Sequence, residues 1–189
     1  MSDAVDKVRR RLLHASACLR EAEVPYAVIG GNAVAAWVSR ADEAAVRNTR
    51  DVDILLRRED LARAIAAMEQ AGFRHRRVAS LGSGGTMDVF LEGADGKVRD
   101  AVHVVFAGEP IRPDTPPGGE DVNDSEDAGD FQLISLAALV RMKLAAWRDK
   151  DRMHLRDLQA VGLLDKATLG GLSPLLNERL DFILANPED

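Results

Sequence analysis

The stretch from Tyr26 to Leu56 limits what this chain can fold into more than any other. It opens on Tyr26-Ala27-Val28-Ile29 and runs into Gly30-Gly31-Asn32. It continues as an apolar helical run and returns as Asn48-Thr49-Arg50-Asp51-Val52-Asp53-Ile54-Leu55-Leu56. The pattern predicts an apolar strand, a double glycine at the mouth of a helix over 32–39, a polar loop over 40–50, and a second strand over 51–56. Side chains alternate faces along a strand. Asp51 and Asp53 therefore share one face, while Val52 and Ile54 point into the core.

The rest of the chain supplies helices and further strands. Val5, Val8, Leu12, Ala15, Leu19 and Ala22 recur at helical spacing, and Pro25 ends that first helix. A helix is predicted over 59–71, with Leu61, Ile65 and Met68 on one face and Gly72 as its stop. Strands follow over 76–80, 87–91 and 101–106, with turns at 81–86 and at Ala94-Asp95-Gly96. Residues 107–131 hold four of the seven prolines and a cluster of acids, which reads as a long loop or crossover with a solvated surface. Helices are expected from Ser135 to about Trp147, from about Asp151 to Val161, and from Ser173 to about Leu184. The reading is an α/β (α+β) chain: a small mixed sheet flanked by helices over 1–131, and a helical C-terminal segment over 132–189 packed on it.

Length and composition narrow the partners. At 189 residues the chain is one domain with a small appendage at most. A net charge of −6 argues against a broad nonspecific nucleic-acid surface, though it leaves room for one RNA end. Cys18 is the single cysteine, so no internal disulfide forms, which fits a reducing cytosol and a cytoplasmic protein. No secretory segment and no apolar run long enough for a membrane span is present.

The chemistry follows from the central stretch. Two neighbouring carboxylates repel, and a fold keeps such a pair where a cation offsets the charge. Hard oxygen ligands suit Mg²⁺ or Mn²⁺. The glycine pair offers backbone N–H groups and a helix N-terminus, both attractive to phosphate, although a tight turn needing small residues explains it too. Arg47, Thr49 and Arg50 stand where they could contact phosphates, and Asn32 can cap the helix or join the phosphate cradle. Metal and phosphate sites together equip a chain for phosphoryl or nucleotidyl transfer.

Gly30-Gly31, a helix, and then Thr49-Arg50-Asp51-Val52-Asp53 resemble the signature of the DNA polymerase β-like nucleotidyltransferase superfamily. More narrowly, they are similar to the minimal nucleotidyltransferases and the abortive-infection nucleotidyltransferase toxins. The resemblance implies that Gly30, Gly31 and Asn32 bind the nucleoside triphosphate. It implies that Asp51 and Asp53 hold two Mg²⁺ ions, and that a third carboxylate comes from a neighbouring strand. That acid is absent where it is expected: His103 stands there in Ala101-Val102-His103-Val104. His103 is then a ligand, a base or an ordinary sheet histidine; Asp88, and less readily Asp100, would supply the missing oxygen. The spacing from Gly31 to Asp51 is also longer than the superfamily's, which an insertion around 40–46 would explain.

Two helical features complete the expectation. Lys143 shares a face with Leu136, Leu139, Val140 and Trp147, so it is either a rim lysine with a buried stem or, as the resemblance implies, a phosphate clamp. Arg148-Asp149-Lys150-Asp151 resembles an Arg-x-Lys-Asp pattern of related enzymes, with Arg148 and Asp151 lining the site. His154 and Asp157, three apart, are placed to pair. The activity that the resemblance implies moves an NMP from an NTP to an acceptor hydroxyl on tRNA, protein or a small molecule, and its toxin branch implies the toxin of a toxin–antitoxin pair with an antitoxin partner. The alternative is a catalytically impaired module of the same fold that binds nucleotide or a partner without turnover.

Overall fold

The computed structural model describes residues 2–79, 85–93, 96–110, 119–167 and 169–187. In chain order the elements are α1 (Ser2–Glu21), β1 (Tyr26–Ile29), α2 (Gly30–Ala41), β2 (Val52–Leu56), α3 (Leu61–Gln70), β3 (Phe73–Ala79), β4 (Thr86–Glu92), β5 (Val102–Phe106), β6 (Ser125–Asp127), β7 (Gln132–Ile134), α4 (Leu136–Ala146), α5 (Asp149–Ala160) and α6 (Pro174–Ala185).

The strands form one mixed seven-stranded sheet in the order β3-β4-β5-β2-β1-β7-β6. β1 runs antiparallel to β2, and β2 runs parallel to β5. All four β1 residues are buried, as a central strand covered on both faces requires. Fully burying a side chain such as Ile54 or Leu55, each 1% exposed, contributes about 1.5–3 kcal/mol.

Strand alternation divides the core in two. Val28, Val52, Ile54, Val102 and Val104 pack with Leu12, Leu19 and Met68 from α1 and α3. Ala27, Ile29 and Leu55 pack on the other face with Val34 and Val38 of α2, Leu139 and Leu144 of α4, and Leu155 and Leu158 of α5. Ser135 and Ser173 cap α4 and α6 through their side chains, as expected of serine at those positions.

Some boundaries differ from the sequence reading. β3 begins at Phe73 although its middle is exposed, because it pairs along its full length with β4, from Phe73↔Glu92 to Ala79↔Thr86. Backbone pairing fixes that strand where the apolar signal is weak. The stretch read as loop over 107–131 contains β6, which pairs with β7, and β7 lies parallel to β1. The expected turn at 81–86 falls mostly, and that at Ala94-Asp95-Gly96 partly, outside the described residues. Among the described residues no helix is long and apolar enough to cross a membrane.

Candidate active site

The register of two strands builds the site. In the parallel pair β2–β5, Asp53 stands beside His103, so both side chains leave the same sheet face, the one covered by α2 and α5. Asp51 lies two residues before Asp53, just ahead of β2, and joins them. One ligand-capable atom each from Asp51, Asp53 and His103 lies within 4.8 Å of the others.

The glycine pair makes room for this cluster. Gly30 has φ +67°, and a Cβ there would lie 2.0 Å from Asp53 Oδ2. A Cβ on Gly31 would meet Thr49 Oγ1 at 2.7 Å. The amide end of α2 thus sits against the Asp53 carboxylate, where its dipole favours negative charge. The Thr49 hydroxyl donates to Asp51 Oδ1 at 2.8 Å, and the Asn32 side-chain amide donates to the Asp51 carbonyl at 2.7 Å.

Cations balance the acids. Lys150 Nζ lies 3.4 Å from both Asp51 oxygens. His103 Nδ1 lies 3.5 Å from Asp53 Oδ1, while its Nε2 lies 2.8 Å from the Val98 carbonyl. A carbonyl only accepts, so Nε2 carries a hydrogen. That leaves Nδ1 either protonated, facing Asp53 as an imidazolium, or bare, as a metal ligand. Burial alone would lower the His103 pKa; Asp53, the Val98 carbonyl and Asp51 outweigh it and hold the pKa above the ordinary 6.5. Burial likewise works to raise Asp51, but Lys150, Thr49 and His103 leave it below its ordinary 3.8. Two carboxylates and an imidazole form a donor set that fits a divalent cation, with Asp51 and Asp53 as its hard ligands.

The cluster opens onto a cavity of about 670 Å³ between α2, the 45–51 segment and α5. Gly31, Arg50, Arg99 and Lys150 line it near the acids, and Val34 and Val38 form an apolar wall. Among the described residues no ion pair engages Arg50.

Several expected residues stand elsewhere. Asp88 does not join the cluster. Val89, not Asp88, pairs with His103, so Asp88 points to the opposite sheet face. There its carboxylate meets His75 Nε2 at 2.7 Å and the Arg77 guanidinium at 3.4 Å. Asp100 stands ahead of β5, 3.6 Å from Arg99, and is not part of the cluster. Asn32 neither caps α2 nor lines the cavity; its amide is spent on the Asp51 backbone.

Lys143 is likewise not free to clamp phosphate. It is 6% exposed, and its Nζ donates to Asp151 Oδ1 at 3.0 Å. Asp151, fully buried, also accepts from Arg148 Nε at 2.6 Å and from the Arg148 backbone N–H. This ionic knot fastens the α4–α5 corner. Burial pushes the Asp151 pKa up, but Arg148 and Lys143 hold it below the ordinary value. His154 and Asp157 do not pair with each other: Asp157 takes Arg47 Nε at 2.8 Å. The sequence reading missed Lys150 and Arg99. Lys150 stands within the very Arg148-Asp149-Lys150-Asp151 block that drew attention to its neighbours.

No family model and no curated protein matches the chain. Solved structures do. The antibiotic-resistance factor ANT(2'')-Ia, in its solution structure, is 15% identical with a TM-score of 0.52, over 97% of this chain and 90% of that one. An antigenic nucleotidyltransferase-like protein from Paracoccidioides brasiliensis is 18% identical with a TM-score of 0.53, over 96% and 87%. The mixed sheet, with its glycine turn and its Asp51-Val52-Asp53 segment, has the nucleotidyltransferase fold that the sequence blocks implied.

Proposed function

We propose that this chain is a metal-dependent nucleotidyltransferase that moves an NMP from an NTP to an acceptor hydroxyl. One observation carries the reading: Asp51, Asp53 and His103 converge within 4.8 Å at a cavity lined by cations. Asp51 and Asp53 would hold Mg²⁺ or Mn²⁺, with His103 in the third position. When bound, the ion lowers the pKa of the acceptor hydroxyl and offsets phosphate charge. Arg50, Arg99 and Lys150 face the triphosphate and neutralise charge that builds as pyrophosphate leaves. Gly31, without a side chain, lets backbone approach the phosphates. The acceptor oxygen bonds to the α-phosphorus, the bond from that phosphorus to the bridging oxygen breaks, and the hydroxyl proton passes to an Asp53 carboxylate oxygen.

The acceptor is a hydroxyl on tRNA, a protein or a small molecule. ANT(2'')-Ia, named as an antibiotic-resistance factor, supports the small-molecule class. Growth arrest on expression, relieved by a neighbouring gene product, would support the toxin role instead. The test of the chemistry is transfer of label from an α-phosphate-labelled NTP with Mg²⁺ or Mn²⁺. Label transfer and pyrophosphate release that vanish in Asp53→Asn support the reading. The imidazole in the third position favours one second reading, a module that binds nucleotide without turnover. Binding with no pyrophosphate release would establish it and sink the first.

A further inference from the structure

The sheet face that bears the acid cluster is unevenly covered. α2, α4 and α5 pack over β1, β2 and β7 on one side of the cluster. On the other side the short turn Val98–Asp100 lies over β4, and β3 forms the edge. Register carries one line of residues across this face. Arg76 pairs with Val89, Val89 with His103, and His103 with Asp53. At about 4.8 Å between strands, Arg76 stands on the order of 10 Å from His103 and about 14 Å from Asp53. Arg74, two residues earlier on β3, shares the face. Both arginines are exposed, and among the described residues no carboxylate pairs with either. The Arg76 guanidinium donates to the His75 carbonyl at 2.9 Å. Asp88 and Glu92, the acids of β4, turn to the other face and meet His75 and Arg11. Arg99, exposed on the turn over β4 and lining the cavity, stands between the two arginines and the cluster.

Basic side chains also guard an edge strand against pairing with another chain. That use asks for charge anywhere along the edge. Here, in a chain of net charge −6, the arginines share a face and a register line with the reaction centre. The direction of attack gives them a use. An attacking oxygen approaches the α-phosphorus opposite the leaving pyrophosphate. With the triphosphate in the cavity at Arg50 and Lys150, the acceptor arrives over β5 and β4, past Arg99. Arginines at this distance fit an acceptor whose own phosphates trail behind its hydroxyl. A polycationic amine would be repelled there.

We propose that the acceptor is the end of a single-stranded polynucleotide, with its terminal hydroxyl at the acid cluster and its next phosphates on Arg99, Arg76 and Arg74. The inference rests on the nucleotidyltransferase reading above and selects among its acceptor classes. The hydroxyl reacts in the transfer already described: its oxygen bonds to the α-phosphorus, pyrophosphate leaves, and its proton passes to Asp53. Contact with a few phosphates at one end is also what an acidic chain can sustain, since broad binding needs many cations.

The test is fluorescence anisotropy of the full chain with labelled single-stranded RNA and DNA of about ten nucleotides, at low salt with Mn²⁺ and an α,β-methylene NTP analogue. At least one of the two is expected to bind, with log affinity falling against log salt by about 0.7 for each phosphate held. Arg76→Glu should weaken that binding about tenfold or more. Arg10→Glu makes the same charge change on an exposed position of α1, which packs on the other sheet face, and should stay within about threefold. Melting temperatures are read alongside, and Arg74→Glu takes the place of Arg76→Glu if that variant does not fold. Calorimetric titration of the NTP analogue with Mn²⁺, without polynucleotide, reports on the enzyme reading separately. Analogue binding with no polynucleotide binding overturns the inference and leaves the enzyme reading intact. So do equal losses in Arg76→Glu and Arg10→Glu, which mark an effect of net charge alone. Polyglutamate that binds as tightly as the polynucleotide and through Arg76 overturns it in favour of an acidic protein segment. Polynucleotide binding without analogue binding sinks the nucleotidyltransferase reading, and the acceptor role with it.

Discussion

Gly30 and Asp53 share one small volume: the position a Cβ on Gly30 would take lies 2.0 Å from Asp53 Oδ2. The first βα turn and the strand that carries Asp53 are thereby interlocked. A methyl group at residue 30 must displace the carboxylate or the turn, and the φ of +67° already disfavours any side chain. Gly30→Ala is expected to lower stability by about 1–3 kcal/mol and to weaken Mn²⁺ binding about tenfold or more. Gly31→Ala should be milder. Its φ lies outside the left-handed region, so only the contact matters: its methyl meets Thr49 Oγ1 at 2.7 Å and Thr49 Cβ at 2.9 Å, which a small shift of the exposed 47–50 loop relieves without moving Asp53. Thermal melts and Mn²⁺ titrations followed by paramagnetic resonance check the order of the two. Equal effects would show that the Asp53 contact does not matter.

The site without metal should depend on pH with a definite sign. His103 is held above its ordinary 6.5, so its protonated form stabilises the fold. That contribution is full below about 6.5 and is lost as pH rises through the raised folded value. Asp51 is held below its ordinary 3.8, so its contribution is full above about 3.8 and fades only as pH falls through the lowered value. A divalent ion that takes His103 Nδ1 must displace a proton. Mn²⁺ affinity should therefore rise with pH above 6.5, with proton release seen as a buffer-dependent binding enthalpy. In His103→Asn both the rise and the released proton should disappear. A wild-type affinity that is flat with pH would remove His103 from the ligand set.

The donor set also sets ion preference. An imidazole nitrogen suits Mn²⁺ better than Mg²⁺, which favours oxygen ligands. His103→Asp restores a third carboxylate and should shift the Mg²⁺-to-Mn²⁺ affinity ratio toward Mg²⁺ by about tenfold. Competition titration measures the ratio without any need for turnover. No shift would mean that residue 103 stands outside the coordination sphere.

Much of this site was legible in sequence because it is local. Tyr26–Ile29, Gly30-Gly31 and Asp51-Val52-Asp53 lie within a short span, and strand parity alone puts the two acids on one face. The choice between His103 and Asp88 was not legible. It depends on register: Asp53 lines up with His103 across β2–β5, and Val89 lines up with His103 across β4–β5, which turns Asp88 to the other face. β7 was invisible because three residues are too short to show periodicity, and its pairing with β1 spans about a hundred residues of chain. Helical periodicity did place Lys143 inward. It could not show that α4 ends at Trp147 in the left-handed region, φ 52°, and that α5 turns back to set Asp151 against it.

That turn assigns different work to two lysines, and the difference is measurable. Lys143 and Asp151 are buried together, so Lys143→Met leaves Asp151 with Arg148 alone in the interior. Breaking such a pair costs about 3 kcal/mol, or roughly 6–12 °C in Tm for a chain of this size. Lys150 is half exposed, and its contact with Asp51 is worth at most about 1 kcal/mol to the fold. Lys150→Met should melt close to the wild type yet bind NTP about tenfold more weakly, because it removes a cation from the end of the cavity proposed to hold the phosphates. Lys143→Met, assayed below its melting range, should bind NTP within about threefold of the wild type. The reverse pattern, a stable Lys143→Met that fails to bind nucleotide, would return the phosphate clamp to Lys143.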